Sequence, residues 1–206
     1  MVSSVSNIPK TTKTSIFYVN DVHGQTGNME KIKTASDAFD SFTPSSKVEK
    51  LKFAAGDTLL GSNQKSNTAA AKFLDLININ ATALGNHEVD PSPGELNDFT
   101  KNAKYKMVGL NVNPSADNPL KSRIVKSYVE EKDGTKYGVV GLMPFDLLDR
   151  VKNKDRGISY NVEQMGKTLK DLQAEVDKFK ADGINKVILL SHVGYARDVV
   201  IANKIE

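Results

Sequence analysis

Leu84-Gly85-Asn86-His87-Glu88-Val89-Asp90 follows directly on an apolar run, Ile77 to Leu84, and this junction decides the fold. The run predicts a strand that delivers a polar loop to the edge of a sheet, where loops hold reactive groups on a rigid base. Two similar junctions precede it, Asn20-Asp21-Val22-His23-Gly24 and Ala55-Gly56-Asp57-Thr58-Leu59-Leu60-Gly61-Ser62, and a fourth follows at Ser191-His192. The chain has three histidines, His23, His87 and His192. Each falls at the C-terminal end of a predicted strand, beside Asp, Asn or Gly.

Outward from these junctions the pattern alternates. Ser15 to Asn20 is a run of β-formers, and Asn28 to Phe42 carries Met29, Ile32, Ala35, Ala38 and Phe39 at helical spacing, with Pro44 and two serines ending that helix. Val48 to Ala55 is the second strand and Thr68 to Leu76 an alanine-rich helix before the third strand, Ile77 to Leu84. Strand, helix, strand, helix predicts βαβ units and a parallel layer. Gly94 to Ala103 is expected to be a short helix and Tyr105 to Val112 a fourth strand.

After Asn113 the grammar changes. Arg123 to Glu130 and Lys136 to Met143 are β-rich runs joined through Asp133-Gly134, a turn dipeptide that predicts an antiparallel hairpin. Asn161 to Asp182 carries Met165, Leu169, Leu172, Val176 and Phe179 at spacings of four and three, an amphipathic helix stopped by Gly183. Lys186 to Leu190 is the strand that delivers Ser191-His192, and Tyr195 to Glu206 is expected to be helical.

The 206 residues suit one α/β domain with a substantial core. Residues 1–13 form a predicted disordered tail and residues 14–206 the domain. Lys plus Arg number 28 against 25 Asp plus Glu, and the formal charge of +3 is spread along the chain, which argues against a dedicated nucleic-acid surface. Absence of cysteine excludes disulfides, thiolate zinc sites and cysteine nucleophiles, so any metal must take N and O ligands. The N-terminus lacks the apolar core of a signal peptide, and no stretch approaches the roughly 20 apolar residues of a membrane span.

Hard and borderline divalent cations prefer carboxylate, carbonyl and imidazole donors, and a pair of them needs one bridging anion. Asp57 is the natural bridge. Asp21 and His23 are expected to share one metal with Asp57, and Asn86 and His192 the other. Two metals roughly 3.5 to 4 Å apart acidify a shared water, orient a phosphoryl group and stabilise the attacking and leaving oxygens, which describes phosphate-ester hydrolysis. His87, itself unligated, then faces the leaving oxygen, with Asp90 on its second ring nitrogen as a catalytic dyad. Asn86 and His87 also face the substrate phosphate. Glu88 is expected to be a structural hydrogen-bond acceptor. Ser62 and Ser191 sit in no Gly-x-Ser-x-Gly elbow, which argues against serine hydrolysis.

Asp21-x-His23-Gly24, Gly56-Asp57 with Gly61-Ser62, Gly85-Asn86-His87-Glu88 and Ser191-His192, in this order, resemble the calcineurin-like metallophosphoesterases. Asn86-His87-Glu88-x-Asp90 and Gly56-Asp57-x-x-x-Gly61-Ser62 most resemble their 5′-nucleotidase and 2′,3′-cyclic-nucleotide phosphodiesterase branch. The resemblance runs over about residues 14 to 206. It implies a four-layer α-β-β-α sandwich, two divalent ions (Mn²⁺, Zn²⁺ or Co²⁺), and hydrolysis of nucleotide monoesters or cyclic phosphodiesters. It also implies export or surface anchoring where an upstream signal has been removed.

Family members place a Gly-His-x-His element shortly after the position of His192, and a separate C-terminal domain that grips the nucleotide. Neither is in this chain. The sandwich is therefore expected to be incomplete at its C-terminus, metal binding weakened and activity low, with the missing part of the same protein as partner. The competing expectations are a metal-dependent nuclease on the same scaffold and a catalytically incompetent interaction fragment that offers an unfinished sheet edge.

Overall fold

The structure, a computed structural model, describes residues 13–42, 48–60 and 63–206. The first half builds β1 (Lys13–Val19), α1 (Thr26–Ser41), β2 (Val48–Ala54), α2 (Gln64–Leu76), β3 (Ala81–Ala83), a single 3₁₀ turn (His87–Val89), α3 (Pro93–Thr100) and β4 (Lys106–Val108). The second half adds β5 (Ile124–Val125), β6 (Ser127–Lys132), β7 (Thr135–Leu142), α4 (Leu147–Arg150), α5 (Lys154–Ile158), α6 (Met165–Ala181), β8 (Val187–Ser191) and α7 (Tyr195–Ala202).

Strands β1 to β5 form one parallel sheet in chain order. Each crossover steps in the same direction, so right-handed connections place α1, α2 and α3 on one face. There Phe73 and Leu74 of α2 are buried with Leu59, Leu84 and Met107. On the opposite face Leu51, Phe53, Ala81 and Val108 meet Tyr137 and Val139 of β7 and Leu190 of β8. Period-two alternation along β7 turns Val140 and Leu142 to the far side, against Leu172, Val176 and Phe179 of α6 and Ile201 of α7. The result is the expected α-β-β-α sandwich. The second sheet has the order β6-β7-β8, with β6 antiparallel and β8 parallel to β7.

Several boundaries differ from the sequence expectation, for local reasons. The third strand shrinks to Ala81–Ala83 because Ile77 caps α2 and Asn78 takes a left-handed turn at φ 57°. The fourth shrinks to Lys106–Val108, with Val112 bridged to Val162 instead. The run Arg123 to Glu130 is two strands: Ile124 and Val125 extend the parallel sheet beside Met107 and Val108, while Ser127 onward pairs with β7. One β-rich run thus stitches the two sheets together.

Helix α2 starts at Gln64 rather than Thr68, because Asn63 caps it by accepting from the Ser66 N–H. Helix α6 starts only at Met165, α7 ends at Ala202, and the short helices α4 and α5 had no sequence counterpart. Pro44, Gly61 and Ser62 lie outside the described residues. Among the described residues β1 and β8 each pair on one side only, and an apolar trough of ≈ 670 Å³ opens between them, lined by Ile16, Tyr18, Val187 and Leu189. No helix among the described residues is long and apolar enough to cross a membrane.

Candidate active site

Because β1, β2 and β3 run parallel, their C-terminal loops emerge at one edge, and the loop after β8 arrives beside them. The loops after β1 and β2 continue to pair beyond the strands. Asp21 N–H donates to the Gly56 carbonyl at 3.1 Å, His23 N–H to Asp57 at 2.9 Å and Gly24 N–H to Thr58 at 2.9 Å. Along this ladder Asp21, His23 and Asp57 take left-handed backbones, with φ of 54°, 51° and 51°. Such conformations cost a non-glycine residue of order 1 kcal/mol each and persist where surrounding bonds over-determine them. The first turn of α2 supplies more such bonds, Ser66 Oγ to the Gly24 carbonyl and Leu60 N–H to Asn67 Oδ1 at 3.1 Å.

Asp57 sits at the centre, 4% exposed. Its Oδ2 faces His192 Nε2 at 3.1 Å and His23 Nε2 at 3.3 Å, while its Oδ1 accepts the His87 N–H at 2.8 Å. His23 Nε2 also lies 3.4 Å from Asp21 Oδ1. His192 Nδ1 bonds the Ala55 carbonyl at 2.6 Å, which makes Nδ1 the protonated donor and aims Nε2 at Asp57. Burial works against ionised Asp57, but hydrogen bonds from His192 and the His87 amide outweigh it and hold the carboxyl below its usual range. Burial likewise disfavours charge on His192, yet the bond to Asp57 and its negative charge push the imidazole up to about 9.

The backbone beneath Asp57 admits no side chains. Gly56 has φ 94°, and a Cβ on Gly85 would lie 2.1 Å from Asp57 Oδ1 and 2.5 Å from Asp57 N. Glu88 locks this contact. Its Oε2 accepts from Asp57 N–H at 2.9 Å and Gly85 N–H at 2.7 Å, and its Oε1 from Thr58 N–H at 2.8 Å and Leu59 N–H at 3.1 Å. Burial and the Asp57 charge push the Glu88 pKa up, against the pull of these N–H bonds. The structure bears out its expected role as a hydrogen-bond acceptor.

His87 Nδ1 meets Asp90 Oδ2 at 2.6 Å, so the expected pair is formed, and the His87 ring stands edge-on to His23 with centroids 5.0 Å apart. Asn86 is buried in the same loop between Gly85 and His87. Among the described residues the buried Ser191 hydroxyl has no hydrogen-bond partner.

Among the described residues two groups of acidic and histidine side chains have ligand atoms mutually within 4.8 Å: His23, Asp57 and His87, and Asp21, Asp57 and His192. Asp57 is common to both; the sequence expectation groups Asp21 and His23 with Asp57 on one side and Asn86 and His192 on the other. The donor set of carboxylate oxygens and imidazole nitrogens suits Mn²⁺, Zn²⁺ or Co²⁺. Sequence reasoning missed the supports: Ser66 and Asn67, and Arg156, whose Nη1 donates to the Asp90 carbonyl. Nothing in their local sequence marks them, because their partners lie 42, 7 and 66 residues away.

The model of the calcineurin-like phosphoesterase family matches residues 14–202. The 5′-nucleotidase of Diplobatis ommata is 29% identical over 213 residues, covering 93% of this chain and 35% of that protein. The Rattus norvegicus 5′-nucleotidase is 32% identical over 137 residues, covering 66% of this chain and 23% of its own length. Among solved structures, the 5′-nucleotidase precursor from Thermus thermophilus superposes with a TM-score of 0.77 at 28% identity, covering 91% of this chain and 38% of that one. The Haemophilus influenzae NAD nucleotidase shares the fold, with a TM-score of 0.74 at 21% identity. The chain thus spans 35% or less of these two curated relatives' length.

Proposed function

Because the chain belongs to the calcineurin-like phosphoesterase family, we propose that it is the metal-dependent catalytic part of a 5′-nucleotidase-like enzyme acting on nucleoside 5′-monophosphates or cyclic nucleotide phosphodiesters. The observation that carries this reading is the placement of one buried carboxylate, Asp57, at the junction of two ligand groups. On this reading Asp21, His23, Asn86 and His192 supply the remaining donors for two divalent cations, and His87, which stands in one of those groups, keeps its ring for the leaving oxygen. Such a pair, when bound, polarises the phosphoryl oxygens and acidifies the attacking water.

The chain's own residues do the rest. The glycine contact and the Glu88 bonds fix the Asp57 carboxylate, so little reorganisation is needed when charge develops on the phosphoryl group. Asp90 accepts from His87 Nδ1, which orients the ring and balances its charge when Nε2 carries a proton. His87 Nε2–H then hydrogen-bonds the leaving oxygen as the ester bond breaks. Asn86 and His87 hold the phosphate.

The test is phosphate release from 5′-AMP and ring opening of 2′,3′-cyclic AMP with added Mn²⁺, alongside the melting temperature with and without Mn²⁺. Turnover that needs Mn²⁺, stops in EDTA and is lost in Asp57→Asn is expected. If Mn²⁺ raises the melting temperature through Asp57 while only an oligonucleotide is cleaved, the nuclease reading takes its place.

A further inference from the structure

We propose that Arg156, 66 residues downstream of Asp90, is a positioning residue that sets the His87–Asp90 pair for protonation of the leaving group; this rests on the phosphoesterase reading above. Asp90 closes the 3₁₀ turn, its N–H donating to the His87 carbonyl at 3.2 Å, and Pro91 follows it. Its backbone is therefore tied on the N-terminal side by the turn and on the C-terminal side by the Arg156 guanidinium, which donates Nη1–H to the Asp90 carbonyl. A charge-assisted bond of this kind is about twice as strong as a neutral one. Between the two ties the side chain reaches His87 Nδ1 at 2.6 Å.

The arginine itself is held in place. Asn153 Oδ1 caps α5 by accepting the Arg156 N–H at 3.2 Å, and Ser159 Oγ donates to the Arg156 carbonyl at 2.7 Å. The next residue, Gly157, is buried so closely that an added Cβ would lie 2.8 Å from Leu148 and 2.9 Å from Val151. A helix of five residues pinned at both ends and along one side cannot shift without moving α4. Hydrogen bonds from Ser92 and Gln64 hold Glu95 of α3 below the usual carboxylate range, and the positive charge of Arg156 adds a smaller pull in the same direction. Arg156 thus joins the region after β7 to the loop after β3 at Asp90, whose carboxylate meets His87 Nδ1.

A residue that merely stabilises the fold would slow every substrate alike. A residue that orients the proton donor matters most when the leaving oxygen is basic. The experiment compares wild type, Arg156→Met and Arg156→Lys on 5′-AMP, whose leaving group is an alkoxide, and on 2,4-dinitrophenyl phosphate, whose leaving group departs without a proton. It also records the downfield imidazole N–H signal of His87 by NMR, assigned by its loss in His87→Asn.

In Arg156→Met, kcat for 5′-AMP is expected to fall by about tenfold, a fraction of the 10² to 10⁴ that general acids supply. KM and dinitrophenyl phosphate turnover should stay within about twofold of wild type, and the His87 signal should broaden or shift upfield. Arg156→Lys, which keeps a charged donor, should recover part of both. Equal losses on the two substrates, or an unchanged His87 signal in Arg156→Met, overturn the proposal. If the wild type hydrolyses neither substrate, the failure belongs to the phosphoesterase reading of this chain, and the NMR signal alone decides whether Arg156 positions the pair.

Discussion

Replacing Glu88 by Gln tests how far one carboxylate assembles the site. Four backbone N–H groups from two loops converge on it, two on each oxygen, at 2.7 to 3.1 Å. Glutamine keeps one oxygen and presents an NH₂ in place of the other, so two buried N–H donors lose their acceptor and face a donor. Each buried group left unsatisfied costs about 1–3 kcal/mol, about 2–6 kcal/mol for the pair. Removing a buried charge beside Asp57 offsets part of this, since burial and that charge already push the Glu88 pKa up. The lower half of the range, about 2–4 kcal/mol, is the expected loss. At about 2–4 °C per kcal/mol for a domain of this size, the melting temperature should drop by about 4–16 °C.

Urea unfolding supplies the free energy, and a Mn²⁺ titration followed by melting temperature reads whether Asp57 still reaches its partners. A loss below about 0.5 kcal/mol, the scale of an ordinary surface substitution, would refute the reasoning, because the four bonds would then not be what joins the loops.

Gly85→Ala should destabilise by about 1–3 kcal/mol and abolish stabilisation by Mn²⁺, because the new methyl meets Asp57 at 2.1 Å; Gly166→Ala, where an added methyl meets nothing within 4 Å, is the control, and both are read by thermal melts. Burial opposes ionisation of Asp146, but hydrogen bonds from Arg150 and Arg197 bring its pKa down to about 2. Its folded-state pKa is depressed, so its contribution is complete above the unfolded value of about 3.9 and is lost as pH falls through about 2. Urea unfolding from about pH 5 down to about pH 2 should show a steeper loss in wild type than in Asp146→Asn, and parallel curves would sink the coupling.

The layer order was legible because the signals that set it are periodic. The stripe from Leu172 to Phe179 repeats at helical spacing and is buried as α6, and the Asp133-Gly134 turn joins β6 to β7 as its composition predicts. The short strands were not. Ile77 and Ile79 look like β residues, yet both are buried against α2 and its cap, so apolar character here marks a helix end rather than a strand. The split at Lys126 was invisible for a related reason, since a chain passing from one sheet to another needs no turn residue when both sheets accept an extended backbone.

The site was legible to a different depth. Side chains able to hold a metal or move a proton are confined to few residue types, so Asp21, His23, Asp57, His87, Asp90 and His192 stood out, and they meet. The residues that hold them are bound by geometry alone, and geometry across 66 residues leaves no local trace at Arg156. The three left-handed residues show why the two kinds of information separate. Glycine would relieve the backbone at Asp21, His23 and Asp57, and the chain does use glycine at Gly24 and Gly56 in the same loops. At those three positions glycine would remove the donor atoms, so the side chain is dictated by the ligand groups and the conformation by the ladder between the loops. The strain is supported from outside, by Glu88, by the first turn of α2 and by the Ala55 carbonyl on His192. A loop rigid enough to keep its ligands converged must draw that rigidity from neighbours that never touch the substrate.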